Sequence, residues 1–231
     1  MNKIIEKSNP KLCASVICTN LLNVKRDLDI LEEEGFDYLH FDIMDGHFVP
    51  RLGLDLNLLG LITKTYSIPV EVHLMVDNPI KYIEEVVKVG VSAIVFHLEA
   101  ETDINNIIYS IKKYKNIKIG LALKPETPIH IIIPYLDLID IILLMTYSPG
   151  TLGEKPINSF LDRIKNLKKL LFEYKKENID ITIDGGVTVK NLKSYLDSGA
   201  SMFIFGTSGL FIEGIDIRYQ IQLIKKNLDI I

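Results

Sequence analysis

The sequence predicts an α/β fold, a single-domain (β/α)8 TIM barrel that spans residues 1–231. Strand-like apolar runs alternate with amphipathic, helix-like stretches along the chain, and eight such runs are present. No linker, low-complexity tract or shift in composition separates them. A barrel of this kind has about 250 residues and can be as short as about 200, so 231 residues suffice for one barrel.

The eight strand-like runs are rich in β-branched and aliphatic residues, and each is short enough to be a barrel strand. In chain order they are LCASVIC (12–18), DYLHFDI (37–43), PVEVHLM (69–75), AIVFH (93–97), IKIGLAL (117–123), LIDIILLM (138–145), DITID (180–184) and MFIFG (202–206). The stretches between them have the apolar spacing of helices that pack on a sheet.

Two of the helix-like stretches carry clear signals for the beginning or end of a helix. In VKRDLDILEEEG, every third or fourth residue from Val24 to Leu31 is apolar, and Gly35 is a helix stop. In INSFLDRIKNLKKLLFEYKK, we expect Asn158 or Ser159 to be the N-cap. The apolar residues of that stretch recur at helical spacing, at Phe160, Ile164, Leu167 and Leu171.

A doubly wound open sheet is the competing architecture. It predicts a glycine-rich fingerprint after the first strand, because the backbone must approach a phosphate closely there. The segment CASVICTNLLN, which follows the start of the first strand-like run, contains no glycine. The barrel is therefore favoured.

Composition and charge argue against several classes of partner. A net charge of −4 is unlike a broad surface for nucleic acid or anionic membranes. The longest apolar runs are interrupted by proline and aspartate, so we expect no membrane span. The start MNKIIEKSNP lacks the apolar core of a signal peptide, and Cys13 and Cys18 are too few for a disulfide framework. We therefore expect a cytoplasmic protein that binds neither nucleic acid nor membrane.

Polar side chains stand near the ends of three strand-like runs. The second run carries His40 and Asp42, the third carries His73, and the seventh ends in Asp184. Because barrel active sites lie at the carboxyl ends of the strands, we expect these side chains to converge. Two imidazoles and two carboxylates suit Zn²⁺, Fe²⁺, Co²⁺ or Mn²⁺ better than Ca²⁺, which indicates a site for a divalent ion.

A structural interpretation competes with the metal site. A strand histidine is often a hydrogen-bonded core residue, and an aspartate at a strand end is often a cap. We expect His97 to be such a structural histidine, His130 to lie on a helix surface, and His47 to lie in a loop near substrate or solvent. For the four converging residues, this interpretation would require each to be satisfied separately inside one barrel.

Five segments resemble, in order and spacing, the motifs of the ribulose-phosphate 3-epimerase family. They are HFDIMDGHFVP, VEVHLMVDNP, LLMTYSPG, DGGVT and FGTSGLF, and the resemblance extends from Ala14 to Phe211. It implies a TIM barrel that inverts C3 of a ketose phosphate around one divalent metal ion per chain. The implied metal ligands are His40, Asp42, His73 and Asp184.

The resemblance also implies roles for other residues. Asp42 and Asp184 would be the acid–base pair, which moves the C3 proton through an enediolate that the metal stabilises as a Lewis acid. Ser15 and His73 would contact the substrate. The floor of the site would consist of methionines, which are Met44, Met75 and Met145. The leading reaction is the conversion of D-ribulose 5-phosphate to D-xylulose 5-phosphate.

A phosphate site is expected after the seventh and eighth strand-like runs, where TIM barrels commonly hold this group. Gly185 and Gly186 permit close approach of the backbone to a ligand. Gly206 and Thr207 are expected to lead into a short helix, whose N-terminus offers unpaired N–H groups to an anion.

The loop after the sixth run departs from the family pattern. The family has P-G-F-G-G-Q or P-G-F-A-G-Q, whereas residues 149–154 read PGTLGE. Gly150 and Gly153 are kept, and we expect both to contact the phosphate. Leu152 and Glu154 hinder close approach of a dianion, so the substrate and the level of activity stay open.

Three alternative functions follow from these features. SVICTNLL and Gly209 resemble the D-allulose 6-phosphate 3-epimerase branch, which forms fructose 6-phosphate, whereas DGG resembles the ribulose-phosphate branch. A sugar-phosphate-binding barrel without turnover is the second alternative. The third is a metal-free isomerase or decarboxylase that would use Glu99 or Lys124. The family resemblance further implies a homo-oligomer, either a dimer or a hexamer.

Overall fold

The computed structural model describes residues 9–100, 103–149 and 158–228. Within these ranges, eight parallel strands close into a barrel in chain order, and the last strand pairs with the first. The strands are β1 Lys11–Ser15, β2 Tyr38–Met44, β3 Val70–Met75, β4 Ala93–His97, β5 Lys118–Leu123, β6 Ile141–Met145, β7 Asp180–Asp184 and β8 Met202–Phe205. The predicted (β/α)8 barrel is confirmed.

Seven α-helices are found in the described part of the chain, one after each strand except β5. They are α1 Val24–Glu33, α2 Leu56–Thr65, α3 Ile80–Lys88, α4 Ile104–Lys112, α5 Asn158–Glu173, α6 Val189–Ser198 and α7 Ile217–Asn227. The connection from β5 to β6 carries a 3-10 helix at Ile129–Tyr135, in which Pro134 cannot donate a backbone hydrogen bond. His130 is exposed on this 3-10 helix.

The helix patterns of the sequence correspond to α1 and α5. Leu28 and Leu31 of α1 are buried, and Gly35 follows the helix with a left-handed φ of 70°. The predicted apolar stripe of α5 is buried at Phe160, Ile164, Leu167 and Leu171. Because α5 begins at Asn158, both Asn158 and Ser159 are residues of the helix, and the expectation that one of them is its N-cap is wrong.

Two strands differ from the predicted runs by three residues at one end, whereas the other six agree to within one residue at each end. β1 ends at Ser15, because Val16–Cys18 forms a 3-10 turn that Thr19 closes by donating its N–H and its hydroxyl to the carbonyl of Val16. β6 begins at Ile141, because the N–H of Leu138 still closes the preceding turn. In both segments, apolar side chains that pack against the core continue beyond the strand itself.

The apolar core has two parts, and the alternation of side chains along each strand separates them. A large layer fills the space between the strands and the helices, and it includes Phe41 and Ile43 of β2. His40 and Asp42 point the other way, into the barrel. A smaller cluster fills the barrel interior with Cys13, Ala93, Val95, Ala122, Ile141, Leu143, Met145, Met202 and Ile204.

Closure of the barrel joins the beginning and the end of the described chain. The N–H of Lys11 donates to the carbonyl of Ser201 over 2.8 Å, next to the paired β1 and β8. Outside the barrel, Arg218 of α7 forms ion pairs with Glu33 and Glu34 of the α1 end. Partly exposed pairs of this kind contribute about 0–1 kcal/mol each, so strand pairing and the buried layer provide most of the closure energy.

Two expectations from composition concern cysteines and membrane spans. Cys13 and Cys18 are both free thiols, and Cys13 is buried in the barrel interior. None of the helices in the described ranges has the length and apolar character that a membrane crossing requires.

Gly120 on β5 leaves no room for a side chain. A Cβ added there would lie 2.6 Å from Cγ2 of Val95 and 3.2 Å from Cβ of Ile141, both in the packed barrel interior. Gly120→Ala should therefore lower the free energy of unfolding by about 1–3 kcal/mol, measured by chemical denaturation.

Gly60 in α2 offers a matched control for that substitution. A Cβ added to Gly60 would lie 3.4 Å from a methyl group of Val89, which is ordinary contact. Because alanine is favoured over glycine inside a helix by roughly 0.5–1 kcal/mol, Gly60→Ala should be neutral or stabilising. Equal stability of Gly120→Ala and wild type would show that the barrel interior is looser than these distances imply.

Candidate active site

Three strands bring the four predicted polar side chains together at one end of the barrel interior. Asp42 on β2 lies opposite His73 on β3 in the strand register, and the rings of His40 and His73 are 5.1 Å apart. Nε2 of His40 lies 3.2 Å from Oδ1 of Asp42 and 3.9 Å from Oδ2 of Asp184. Nδ1 of His73 lies 3.5 Å and 3.8 Å from the same two oxygens.

His40, His73 and Asp184 offer ligand atoms within 4.8 Å of one another, and Oδ1 of Asp42 lies next to both imidazole nitrogens, so a divalent ion could be held here. Nε2 of His40 and Nδ1 of His73 are buried, and neither has a hydrogen-bond partner among the described residues. A buried nitrogen without a partner costs about 1–3 kcal/mol, and a metal ion bound to both atoms would remove that cost. Ligand atoms lie about 3.3 Å apart in a tetrahedral site with bonds of about 2.0–2.1 Å, close to the separations observed here.

The electrostatics of the site are dominated by carboxylates. Burial opposes a charge on His40, but Asp42, Glu71 and Asp184 raise the pKa of its imidazole well above the usual range. The surplus of negative charge inside the barrel therefore favours a cation at this position.

Asp42 and Asp184 have pKa values that move in opposite directions. Burial acts to raise the pKa of Asp42, but His40 and His73 outweigh it and hold that pKa below its usual range. Burial raises the pKa of Asp184, the charge of Asp42 adds to this, and the two histidines only partly oppose it. Two carboxyl groups whose environments separate their pKa values are typical of a site that uses one as a base and the other as an acid.

Glu71 holds the far side of His40 and was not identified from the sequence. Its Oε1 lies 2.9 Å from Nδ1 of His40, and both side chains are completely buried. Glu71 precedes His73 by two residues on β3, so strand alternation places both on the interior face. That alternation is the signal that would have found it, because a carboxylate facing a barrel interior needs a buried partner.

His97 and Glu99 form a second buried chain behind His73. Nε2 of His97 lies 3.0 Å from Nε2 of His73, and Nδ1 of His97 lies 3.1 Å from Oε2 of Glu99. Burial lowers the pKa of His97 to about 4. Burial opposes ionisation of Glu99, but hydrogen bonds from His97, Thr127 and the N–H of Lys124 lower its pKa to about 2. His97 is thus buried and hydrogen-bonded, as expected of a structural histidine.

A cavity opens above this polar cluster at the carboxyl ends of the strands. Predicted residues that line it are Ser15, Asp42, Met44, Met75, Met145, Asp184, Gly185, Gly186, Gly206 and Thr207. The hydroxyl of Ser15 donates to Oδ2 of Asp42 over 3.0 Å. His40 and His73 lie below with no exposed surface. The cavity is also lined by residues that were not predicted as site residues, which are Ile17, Cys18, Arg51, Tyr147, Ile204 and Ser208.

The glycines after β7 have conformations that other residues rarely adopt. Gly185 has a φ of 102° and Gly186 a φ of 57°. A Cβ on Gly185 would lie 2.4 Å from Oγ1 of Thr146, so this wall of the cavity must be bare backbone. The predicted phosphate contacts Gly150 and Gly153, together with the altered loop at 150–157, lie outside the described residues.

The segment after β8 forms a turn, so the prediction of a short helix there is wrong. The N–H groups of Leu210 and Phe211 both donate to the carbonyl of Gly206. Gly209 packs so tightly that an added Cβ would lie 2.2 Å from the carbonyl oxygen of Val187. This contact draws the segment against the end of β7, and the chain does not become helical until α7.

The barrel and the polar cluster beneath its cavity define a TIM-barrel enzyme, and solved structures agree on the fold. A ligand-bound structure of the KGPDC of Streptococcus mutans has a TM-score of 0.76 and 15% identity, and the match covers 97% of this chain and 99% of that one. The phosphoribosyl anthranilate isomerase of Thermus thermophilus has a TM-score of 0.68 and 15% identity, covering 95% and 98%. These likenesses concern the fold alone.

Sequence comparison identifies the family. The profile of the "Ribulose-phosphate 3 epimerase family" matches residues 11–211. The ribulose-phosphate 3-epimerase of Bacillus subtilis is 32% identical over 198 residues, covering 86% of this chain and 91% of the relative. That of Buchnera aphidicola is 34% identical, covering 85% and 87%. The chain belongs to the ribulose-phosphate 3-epimerase family and is thus an enzyme of the isomerase class.

The low pKa of His97 predicts a specific pH dependence of stability in the metal-free protein. The pKa of His97 falls from its ordinary 6.5 to about 4 on folding, so the unfolded chain takes up the proton first as the pH drops. The stability that the neutral ring contributes is present above pH 6.5 and is lost as the pH falls towards 4. This loss amounts to roughly 3 kcal/mol.

The variant His97→Gln isolates this contribution, because glutamine does not titrate. Between pH 6.5 and 4, the free energy of unfolding of the wild type should fall by that amount relative to the variant. Parallel pH profiles of the two proteins in urea denaturation would contradict the burial of a neutral His97.

Proposed function

We propose that the protein is a metal-dependent epimerase that inverts C3 of a ketose phosphate, with D-ribulose 5-phosphate to D-xylulose 5-phosphate as the leading reaction. One observation carries this proposal. Asp42 and Asp184 approach the same pair of unpartnered imidazole nitrogens from β2 and β7, strands on different sides of the barrel axis. A substrate carbon above that pair would have a carboxyl group on each face.

The two carboxyl groups have complementary tasks in this proposal. Asp42, which is held by the hydroxyl of Ser15, takes the C3 proton from one face. Asp184 delivers a proton to the other face, and the two exchange roles when the reaction runs backwards. A single divalent first-row ion (Zn²⁺, Fe²⁺, Co²⁺ or Mn²⁺), held by His40, Asp42, His73 and Asp184, would stabilise the negative charge that develops on the substrate oxygens.

The remaining cavity residues would bind and shield the substrate. Met44, Met75 and Met145 present soft apolar surface beside the carboxylates and would keep water from the reacting carbon. Bare backbone at Gly185 and Gly186, with Gly206 and Thr207 across from it, suits the close approach of a phosphate. Gly150 and Gly153 would complete the phosphate contacts.

D-allulose 6-phosphate is the second candidate substrate, and Cys18 favours it. Its side chain lines the cavity, and its Sγ would lie 3.0 Å from a Cβ added to Gly206. A barrel that only binds sugar phosphate, without turnover, would not need two carboxyl groups with different pKa values. The opposite pKa shifts of Asp42 and Asp184 therefore favour an enzyme. A metal-free reaction through Glu99 is disfavoured, because that carboxylate already accepts three hydrogen bonds.

The cellular setting is part of the same proposal. A relative from Oryza sativa that is 32% identical, covering 86% of each chain, is named a cytoplasmic isoform. We place this protein in the cytoplasm as a homo-oligomer, either a dimer or a hexamer. Its partner is a small ketose phosphate, with no nucleic acid and no membrane.

Turnover of metal-loaded enzyme on ribulose 5-phosphate and allulose 6-phosphate, side by side, tests the proposed activity. The unphosphorylated sugars should be poor substrates, because remote binding energy positions the reacting carbon. Thr207→Glu should raise KM by placing a negative charge beside the phosphate, whereas Thr65→Glu on exposed α2 should not. Turnover of neither phosphate would refute the activity, and equal handling of free sugars would refute the phosphate site.

Metal analysis of purified protein tests the ligand set. We expect about one first-row ion per chain by mass spectrometry. His73→Ala should lose most of the metal and keep the circular dichroism spectrum, since the barrel core does not depend on the ion. His130→Ala, on an exposed histidine, is the matched control. Equal metal contents in wild type and His73→Ala would exclude His73 as a ligand.

Isotope exchange in D2O tests the two-carboxylate mechanism on ribulose 5-phosphate. Asp184→Asn should reduce epimerisation by about 10²–10⁴-fold, the usual effect of losing a general acid. Asp42 can still remove the C3 proton and return deuterium to the same face, so deuterium should enter unreacted substrate faster than xylulose 5-phosphate forms.

Asp42→Asn should abolish both exchange and epimerisation from this direction. Metal content is measured in both variants, because each substitution also changes a proposed ligand. A fully metallated Asp184→Asn enzyme that epimerises at the wild-type rate would rule out the paired roles of Asp42 and Asp184.

A further inference from the structure

The two buried imidazoles of the site, His40 and His73, have different partners at the ring nitrogen that points away from Asp42 and Asp184. His40 meets a carboxylate directly, Glu71, whereas His73 meets a second imidazole, His97. The Nε2 atoms of His73 and His97 are 3.0 Å apart. A contact of this length between two ring nitrogens contains a single hydrogen, because two hydrogens would collide and two lone pairs would repel. The ring that owns this hydrogen determines what His73 can do on its other side.

The hydrogen bonds of Glu99, on the other side of His97, determine which ring carries the shared hydrogen. Oε1 of Glu99 accepts from the N–H of Lys124 over 2.8 Å and from the hydroxyl of Thr127. Its Oε2 lies 3.1 Å from Nδ1 of His97, so that nitrogen must carry a hydrogen and donate it. A singly protonated His97 then has a bare Nε2, and the shared hydrogen belongs to Nε2 of His73.

The opposite assignment requires an imidazolium at His97. In that case, Nε2 of His97 would donate to His73, and the ring hydrogen of His73 would move to Nδ1, which lies 3.5 Å from Oδ1 of Asp42 and 3.8 Å from Oδ2 of Asp184, too far for a good hydrogen bond. His97 is completely buried, and its ring packs 4.9 Å from that of Phe48, which has the ammonium of Lys124 over it. The carboxylate of Glu99 would attract a charge on this ring, but complete burial away from water and the positive charge of Lys124 both oppose it, so the neutral ring is favoured.

We propose that Glu99 and His97 are positioning residues that hold His73 in the tautomer with a bare Nδ1. The lone pair on this atom faces Asp42 and Asp184, and the proposed metal requires it. The consequence for metal binding rests on the proposed function, whereas the tautomer itself is a property of the metal-free protein. Partners of this kind behind a metal-binding histidine typically affect affinity by about 10–100-fold.

The near-isosteric variant Glu99→Gln tests this assignment, because it should reverse the direction of the hydrogen bonds that link His73, His97 and residue 99. The amide oxygen must face Lys124 and Thr127, since both of them donate, which turns the amide NH2 towards Nδ1 of His97. That nitrogen becomes an acceptor, Nε2 of His97 becomes a donor, and His73 must carry its hydrogen on Nδ1. The substitution thereby blocks the proposed ligand atom without touching His73.

Imidazole ¹⁵N NMR of the metal-free protein reads the tautomers directly. The chain has five histidines, and His47→Gln and His130→Gln remove the resonances of the two exposed ones. Wild type should show His73 with hydrogen on Nε2 and His97 with hydrogen on Nδ1, and Glu99→Gln should invert both. Zinc affinity, measured by chelator competition, should fall by about 10–100-fold in Glu99→Gln.

Two further variants keep the test decisive. Glu84→Gln, the same change on exposed α3, should leave both the tautomers and the zinc affinity at wild-type values. If Glu99→Gln does not fold, His97→Phe replaces it, because phenylalanine retains a buried ring and gives His73 no acceptor. His73 should then populate both tautomers, with weaker zinc binding.

The results separate this inference from the proposed function. An imidazolium at His97 in wild type, or wild-type tautomers and zinc affinity in the variants, would overturn the inference. A wild type that shows the expected tautomers but binds no zinc and epimerises nothing would refute the proposed function and leave the orienting chain intact.

Discussion

Burial of charge inside an apolar barrel is the constraint on which the rest of this structure depends. Asp42, Glu71 and Asp184 point into an interior that they share with buried imidazoles and with a mainly apolar cluster of side chains. Removing such groups from water costs several kcal/mol each unless partners compensate. The large layer between strands and helices supplies the stability that tolerates this cost. The polar end of the barrel can therefore be organised for binding a cation and moving protons.

Much of the fold and the centre of the site could be predicted from the sequence, because both depend on local periodicity. Strand alternation places His40 and Asp42 on one face, and barrel topology then brings β3 and β7 to the same end. The errors lie at the ends of strands, where the sequence pattern does not show which local structure follows. Val16–Cys18 reads as strand but forms a 3-10 turn, and Gly206 reads as a helix start but begins a turn packed on Val187.

The hydrogen bonds of the supporting network are harder to predict, because they link residues on neighbouring strands and depend on the register in which those strands pair. Glu71 reaches His40 across β2 and β3, and His97 reaches His73 across β3 and β4. Their identities as carboxylate and imidazole are visible in the sequence, but their hydrogen-bond partners are not. Tyr147 and Arg51 line the cavity from loops, whose paths periodicity does not determine. Sequence reasoning therefore reaches the reactive groups more easily than the groups that orient them.

The pairing of β8 with β1 has a consequence for the nascent chain during its synthesis. During synthesis, β1 is made before the other strands, and β8, its partner on one side, is the last of the eight strands to be made. Until then, the incomplete sheet has two open edges, which can pair with strands of other nascent chains. The ion pairs between α1 and α7 also form only at that stage. The nascent barrel is therefore protected against pairing with other chains only after β8 and α7 have been made.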